Sequence, residues 1–163
     1  MKRSLFLSVI LLLAATLLQI FGLSRLTVFG VSPDLVTVFL AVVSVFSGQR
    51  VGMSFGFAAG LLAGLLSGNV GMNMLFRTIE GFTAGYFHLP ENSHATLSYR
   101  SRMLYFAIIS ATFAGNLVFS LSGDPLGETL LFRIFVSGGL ACLMNLLIGV
   151  AVNRLYLRKY LSE

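Results

Sequence analysis

The run VGMSFGFAAGLLAGLLSG, residues 51–68, places glycine at every fourth position, Gly52, Gly56, Gly60, Gly64 and Gly68, within a segment that is otherwise almost wholly apolar. Glycine inside a water-exposed helix costs roughly 1 kcal/mol relative to alanine, so this density needs a compensating gain. Close packing between helices in lipid supplies it. There the hydrophobic effect does little to join helices, and association relies on backbones approaching across a groove of small residues. Ala59, Ala63 and Ser67 widen that groove. A four-residue step advances the stripe by about 40° beyond a full circle, which suits a right-handed crossing with a partner helix.

The rest of the chain agrees with a bilayer as solvent. Of its 163 residues, 56% are hydrophobic and 10% charged, and the mean hydropathy is +0.90; a soluble domain carries about 25% charged residues. The net charge of +5 does not point to nucleic acid, because the basic residues fall singly or in pairs at helix ends and form no aromatic-interleaved patch. Cys142 is the only cysteine, so no disulfide forms within the chain, and its apolar setting suits packing as a small residue. Lys2 and Arg3 precede an apolar run like that of a signal peptide. No A-x-A cleavage pattern follows and the run continues to about Leu23, so we expect it to be retained as a span.

Apolar segments of roughly 17 to 25 residues mark membrane helices. Six candidates emerge, at 5–23, 33–48, 51–69, 71–88, 102–122 and 131–153, which predicts a single all-α six-helix membrane domain over residues 1–163. Ser32 can cap the second, Pro33 suits its first position and Asp34 favours its positive dipole end. Very short connections at 48–51 and 69–71 make spans two, three and four antiparallel neighbours. With a cytoplasmic N-terminus, that side receives Lys2, Arg3, Arg50, Arg100, Arg102, Arg154, Arg158 and Lys159, while the other receives Arg25 and Arg133. The positive-inside rule therefore places both termini in the cytoplasm. Asp124 and Glu128 fall on the outer side and weigh little.

The fourth span, MNMLFRTIEGFTAGYFH, carries two ionisable residues, Arg77 and Glu80, on one helical face. Asn73, Gly81, Ala84 and His88 project within about 60° of Arg77, whereas Leu75, Ile79, Phe82 and Tyr86 point the opposite way. A charge at the centre of a spanning helix costs roughly 2.5–3.5 kcal/mol, so the two residues are expected to pair and to face the protein interior or a partner. Two readings stay open: a polar pocket or docking face formed by Asn73, Arg77, Glu80, His88 and Asn116, or an internal ion pair that fixes helix rotation. Asn116 and Asn145 also suit interhelical hydrogen bonds, at about 0.6 kcal/mol apiece. Ala111 with Gly115, and Gly138 with Cys142, extend the close-packing theme.

Other motifs say little. Gly52-Met53-Ser54-Phe55-Gly56 fits G-x-S-x-G, but a nucleophile elbow needs a strand-to-helix turn and this one opens a membrane helix. His88 and His94 lack the spacing of metal ligands, and no phosphate-binding or dinucleotide fingerprint is present. No enzyme activity, cofactor or metal is expected.

Taken together, the basic N-terminus, the Ser32-Pro33-Asp34-Leu35 opening, and the runs Gly56-Phe57-Ala58-Ala59-Gly60-Leu61-Leu62 and Leu65-Leu66-Ser67-Gly68 resemble the rod shape-determining MreD family of bacteria. Gly71 and Gly81-Phe82-Thr83-Ala84-Gly85-Tyr86 continue the likeness, which at motif level covers 31–87. The family commonly has an acidic residue in a G-L-L-x-D pattern where this chain has Gly64, so no site built on that residue carries over. The resemblance implies a non-enzymatic inner-membrane component of the elongation machinery, associated with the MreC membrane helix and through it with MreB, RodA and a penicillin-binding transpeptidase. It also implies a fold similar to the substrate-binding subunits of energy-coupling-factor vitamin transporters. A scaffold whose glycine groove and polar stripe dock a partner helix is the leading expectation. A solute-binding transporter subunit, using Asn73, Arg77, Glu80 and Asn116, is the alternative. It lacks the A-x-x-x-A contact motif in span one, where Ala14 and Ala15 are adjacent.

Overall fold

A computed structural model describes residues 2–27, 30–90, 95–122 and 129–157. These form six helical rods: α1 (Lys2–Phe21), α2 (Leu35–Ser47), α3 (Gln49–Ser67), α4 (Val70–Ala84), α5 (Leu97–Leu121) and α6 (Leu130–Leu155). The last contains a π-helical turn at Arg133–Ser137 and runs out into another, Asn153–Leu157, and a 3-10 turn, Gly85–Phe87, extends α4. Among the described residues the protein is all-helical. Four helices, those containing α1, α3, α5 and α6, are long and apolar enough to cross a membrane, which is compatible with a multi-pass membrane protein. The other two are shorter, at 13 and 15 residues. At 1.5 Å per residue they reach only about 20–22 Å, against a hydrocarbon core of about 30 Å.

Each of the six apolar runs contains one helix, but two beginnings differ from expectation. Asp34, rather than Ser32, caps α2: its side chain accepts from the backbone N–H of Val36 and Thr37, so Pro33 lies outside the helix. The α5 helix starts five residues early because the Thr96 hydroxyl accepts from Tyr99 N, which brings Arg100 and Arg102 into its opening turns. Asp124, Glu128, His94, Arg158 and Lys159 lie outside the described residues.

The short α2 is the axis of the bundle and touches all the other helices. A helix that is apolar on every side belongs in the interior. One side of α2 supplies Val38, Ala41 and Val45 to a core shared with Ala84, Leu104, Ala107, Ile108 and Ala111. Its other side packs Val36, Leu40 and Val43 against Leu12, Phe55 and Ala59. Leucines and phenylalanines instead crowd the outer surfaces of α1 and α6, where Phe6, Leu18, Leu131 and Phe135 are exposed.

The glycine stripe of α3 finds its partner within the same chain. Its groove receives the backbone of α4, so it is not an open surface for another protein. A Cβ on Gly52 would lie 2.7 Å from Gly81 O, one on Gly56 would lie 2.9 Å from the Arg77 carbonyl carbon, and one on Gly60 or Gly64 would lie 2.5 Å from Met74 Cα or Val70 Cα. Each four-residue step along α3 thus matches a similar step back along α4, and Gly81 returns the fit against Gly52. Gly68 does not belong to this groove. It ends α3 in the left-handed region, φ 78°, with nothing near its Cβ position. There it serves as a helix stop that allows the tight reversal into α4.

Candidate functional site: a buried ion triad beside a polar cavity

Arg77 and Glu80 meet as the one-face spacing requires, with Arg77 Nη1 2.9 Å from Glu80 Oε2. A third member joins them: Asp34 Oδ2 lies 2.6 Å from the same nitrogen. Asp34 therefore does two jobs, its Oδ1 capping α2 and its Oδ2 holding the guanidinium. Thr37, one turn into α2, accepts from Arg77 Nη1 at 2.8 Å and donates to Glu80 Oε1 at 3.0 Å. Arg77 is 6% exposed and Glu80 3%, and the cluster holds two carboxylates against one guanidinium. The Arg77 guanidinium also sits 4.7 Å from the centre of the Phe76 ring. Its Nε has no hydrogen-bond partner.

Neighbouring helices are shaped around this cluster. On α5, Gly115 faces Glu80 so closely that a Cβ there would lie 2.7 Å from Glu80 Cγ. From α6, Asn145 accepts from Asp34 N at 2.7 Å and donates to Thr112 Oγ1 at 3.1 Å, tying three helices together. Gln19 clasps the opening of α2 from the other side, accepting from Leu35 N and donating to Pro33 O, both at 2.9 Å.

A cavity of about 320 Å³ adjoins the triad, bounded by α2, α4, α5, α6 and the segment before α2. Asp34 and Glu80 form part of its wall, with Thr112, Asn116, Ser137 and Asn145 supplying hydroxyl and amide groups. Arg77 stands behind the two carboxylates and does not line it. Phe76 and Phe119, in edge-to-face contact at 6.1 Å, give it an aromatic side. Arg133 also lines it and donates from Nη2 to Ser120 O at 2.6 Å. Among the described residues, no group of three or more His, Cys, Asp or Glu side chains gathers to hold a metal ion.

The polar stripe read along α4 is not one surface. Arg77, Glu80 and Asn116 reach the triad or the cavity; Asn73 and His88 do not. Asn73 turns to the hairpin, donating to Asn69 O at 2.6 Å and Ser67 Oγ at 3.1 Å. His88 lies beyond the far end of the helix, where Nδ1 meets Val45 O at 2.8 Å and the ring packs beside Gly48. Asn116 donates to Arg133 O at 3.2 Å, at the first π turn of α6. Ser54 of the G-x-S-x-G run is exposed and donates to Arg50 O, one turn back on α3. Sequence reasoning missed Thr37, Thr112, Gln19 and the second role of Asp34. Only the place of Asp34 at the positive dipole end of α2 carried a signal, because contacts between distant helices leave no periodic trace.

Comparison of the chain with models of known protein families, with curated proteins and with solved structures returned no match.

Proposed function

We propose that this chain is a non-enzymatic scaffold of the bacterial cell-elongation machinery, akin to the MreD family and seated in the inner membrane with both termini in the cytoplasm. It would associate with the MreC membrane helix and thereby with MreB, RodA and a penicillin-binding transpeptidase. One observation carries the reading: the residues of the resemblance, 31–87, coincide with α2, α3 and α4, and several of them have packing tasks there. Asp34 caps and pairs, Gly56 and Gly60 seat α4, and Gly81 and Gly85 meet Gly52 and Gln49. The charge pattern supports the orientation. Asn153 bonds to Ser101 and Tyr105, which brings Arg154 to the end of the bundle that holds Arg100 and Arg102. With groove and triad both turned inward, contact with MreC is left to the outward faces. Purification from native membranes tests the proposal: a single-span MreC partner should be recovered, and expression should restore rod shape to cells depleted of MreD. Round cells despite normal membrane levels, with no MreC recovered, would overturn it.

The cavity favours a second reading, in which the bundle holds a small solute. At about 320 Å³ it sits at the lower end of the range of ligand sites, about 300–1,000 Å³. Mass spectrometry of small molecules retained by the purified protein tests this reading independently of any partner.

A further inference from the structure

Arg102 on α5 and Arg154 on α6 are exposed, and among the described residues neither makes a hydrogen bond or an ion pair. The described carboxylates, Asp34 and Glu80, are engaged at the triad. A buried contact fixes the two turns that carry the arginines: Asn153, 4% exposed, donates to Ser101 Oγ at 3.1 Å and to the Tyr105 hydroxyl at 2.7 Å. Each arginine directly follows a member of that contact, Ser101 or Asn153. The helices run antiparallel, since Asn145 meets Thr112 while Asn153 meets Ser101. A 100° step past the contact therefore turns both arginines to the same outer flank of the α5–α6 seam.

Along the helices from the arginines, that flank is apolar. Ile109 and Phe113, both exposed, lie within about 20° of Arg102 on α5. Leu143, Leu146 and Val150, exposed or half-buried, form the facing bank on α6. The banks close on a tight floor, where Cys142 Sγ donates to Ile109 O at 3.6 Å. From Arg102 to Phe113, and from Arg154 to Leu143, each bank runs about 16 Å at 1.5 Å per residue. That is one leaflet of a hydrocarbon core about 30 Å thick.

We propose that this seam binds an anionic phospholipid, its phosphate held by Arg102 and Arg154 and one acyl chain lying between the two banks. A guanidinium fork matches phosphate oxygens, and the two arginines complement a headgroup whose net charge is negative. The leaflet-long apolar seam selects a lipid over a soluble phosphate, which would leave it unfilled. Cations at helix ends commonly face headgroups. Here the buried Asn153 sets two of them in advance on one flank, which lowers the cost of ordering both around a single phosphate. The site requires the membrane setting, but no partner protein and no ligand in the cavity.

Native mass spectrometry of the full chain in dodecyl maltoside, titrated with dioleoyl phosphatidylglycerol or dioleoyl phosphatidylcholine, tests the site. We expect phosphatidylglycerol to saturate at one per chain and phosphatidylcholine to bind more weakly. Arg102→Gln or Arg154→Gln should weaken phosphatidylglycerol binding about fivefold, and the double variant about thirtyfold, at about 1 kcal/mol per arginine. Arg50→Gln removes an exposed cation at the same end but on α3, and should leave the affinity unchanged. Val150→Trp, which fills the seam and keeps both arginines, should weaken binding as well. All three arginines are exposed, so their variants keep the fold. A loss from Arg50→Gln equal to that from Arg102→Gln would mean attraction by overall charge and overturn the site. Equal retention of phosphatidylcholine would overturn the anionic class. Displacement of the lipid by glycerol 3-phosphate at equal concentration, or undiminished binding by Val150→Trp, would overturn the role of the seam.

Discussion

Replacing Gly60 by alanine, with Gly139→Ala as its control, isolates how much of the stability resides in the α3–α4 contact. The added Cβ at Gly60 would lie 2.5 Å from Met74 Cα and 2.8 Å from the Asn73 carbonyl carbon. Non-bonded carbons prefer about 3.5–4.0 Å, so the two backbones must part by about 1 Å, and neither offers a side chain that can swing aside. A gap of that size forfeits a quarter to a half of each nearby dispersion contact, including those at Gly56 and Gly64. Overpacking of this kind costs about 1–3 kcal/mol. Gly139 is exposed within α6 and has nothing within 4 Å of its Cβ position. Both substitutions gain up to about 1 kcal/mol of helix propensity, which cancels in the comparison. The Gly60 variant should therefore be about 1–3 kcal/mol less stable than the Gly139 variant. Unfolding in mixed micelles of dodecyl maltoside and sodium dodecyl sulfate, followed by circular dichroism, measures the difference. Equal stability of the two variants would show that α3 and α4 are not in backbone contact.

Three further outcomes are expected. Arg77→Leu leaves the buried Glu80 and the half-buried Asp34 without their counter-ion and should cost about 3–5 kcal/mol, read as loss of folded monomer on size-exclusion chromatography. Adding Glu80→Leu should recover part of that loss, and adding Asp34→Asn as well should recover more, whereas no recovery in either would contradict a three-membered cluster. Asn145→Ala removes the acceptor for Asp34 N and the donor to Thr112 and should cost about 1–3 kcal/mol in the same micelle titration, while Asn73→Ala, at the exposed hairpin, should cost less than about 1 kcal/mol. In a Cys142→Ser background, Ser93→Cys should resist an impermeant thiol reagent added outside intact cells and react once the membrane is opened; labelling from outside would reverse the proposed orientation.

Regular features of the chain were legible because they repeat. Six apolar runs became six helices, and a four-residue glycine period became a packing groove, since both follow from helical geometry alone. Sequence could not say which helix fills the groove; the short Gly68-Asn69 reversal, which brings α4 back along α3, decides that. The Arg77 and Glu80 pairing was visible as a local spacing, but Asp34 was readable only as a charge favouring the positive dipole end of α2, and its contact with Arg77 depends on how two separate helices pack. Asn73 and His88 share the angular face of Arg77 yet sit at opposite ends of the helix, where turn and loop backbone claim their side chains first. An angular projection ignores that axial distance.

The position of α2 at the axis also bears on how the protein is made. Ribosomes deliver helices in order, and α2 arrives with a carboxylate at its start whose counter-ion, Arg77, comes only after α3 is complete. Arg77 and Glu80 in turn burden α4, each by roughly 2.5–3.5 kcal/mol if left facing lipid. Neither short helix can settle by itself, whereas α3 brings the glycine face that receives α4. In the proposed membrane setting, residues 35–84 would therefore integrate together rather than helix by helix. A chain halted at Ser67 would hold Asp34 without Arg77 and leave the glycine face of α3 without the helix that fills it.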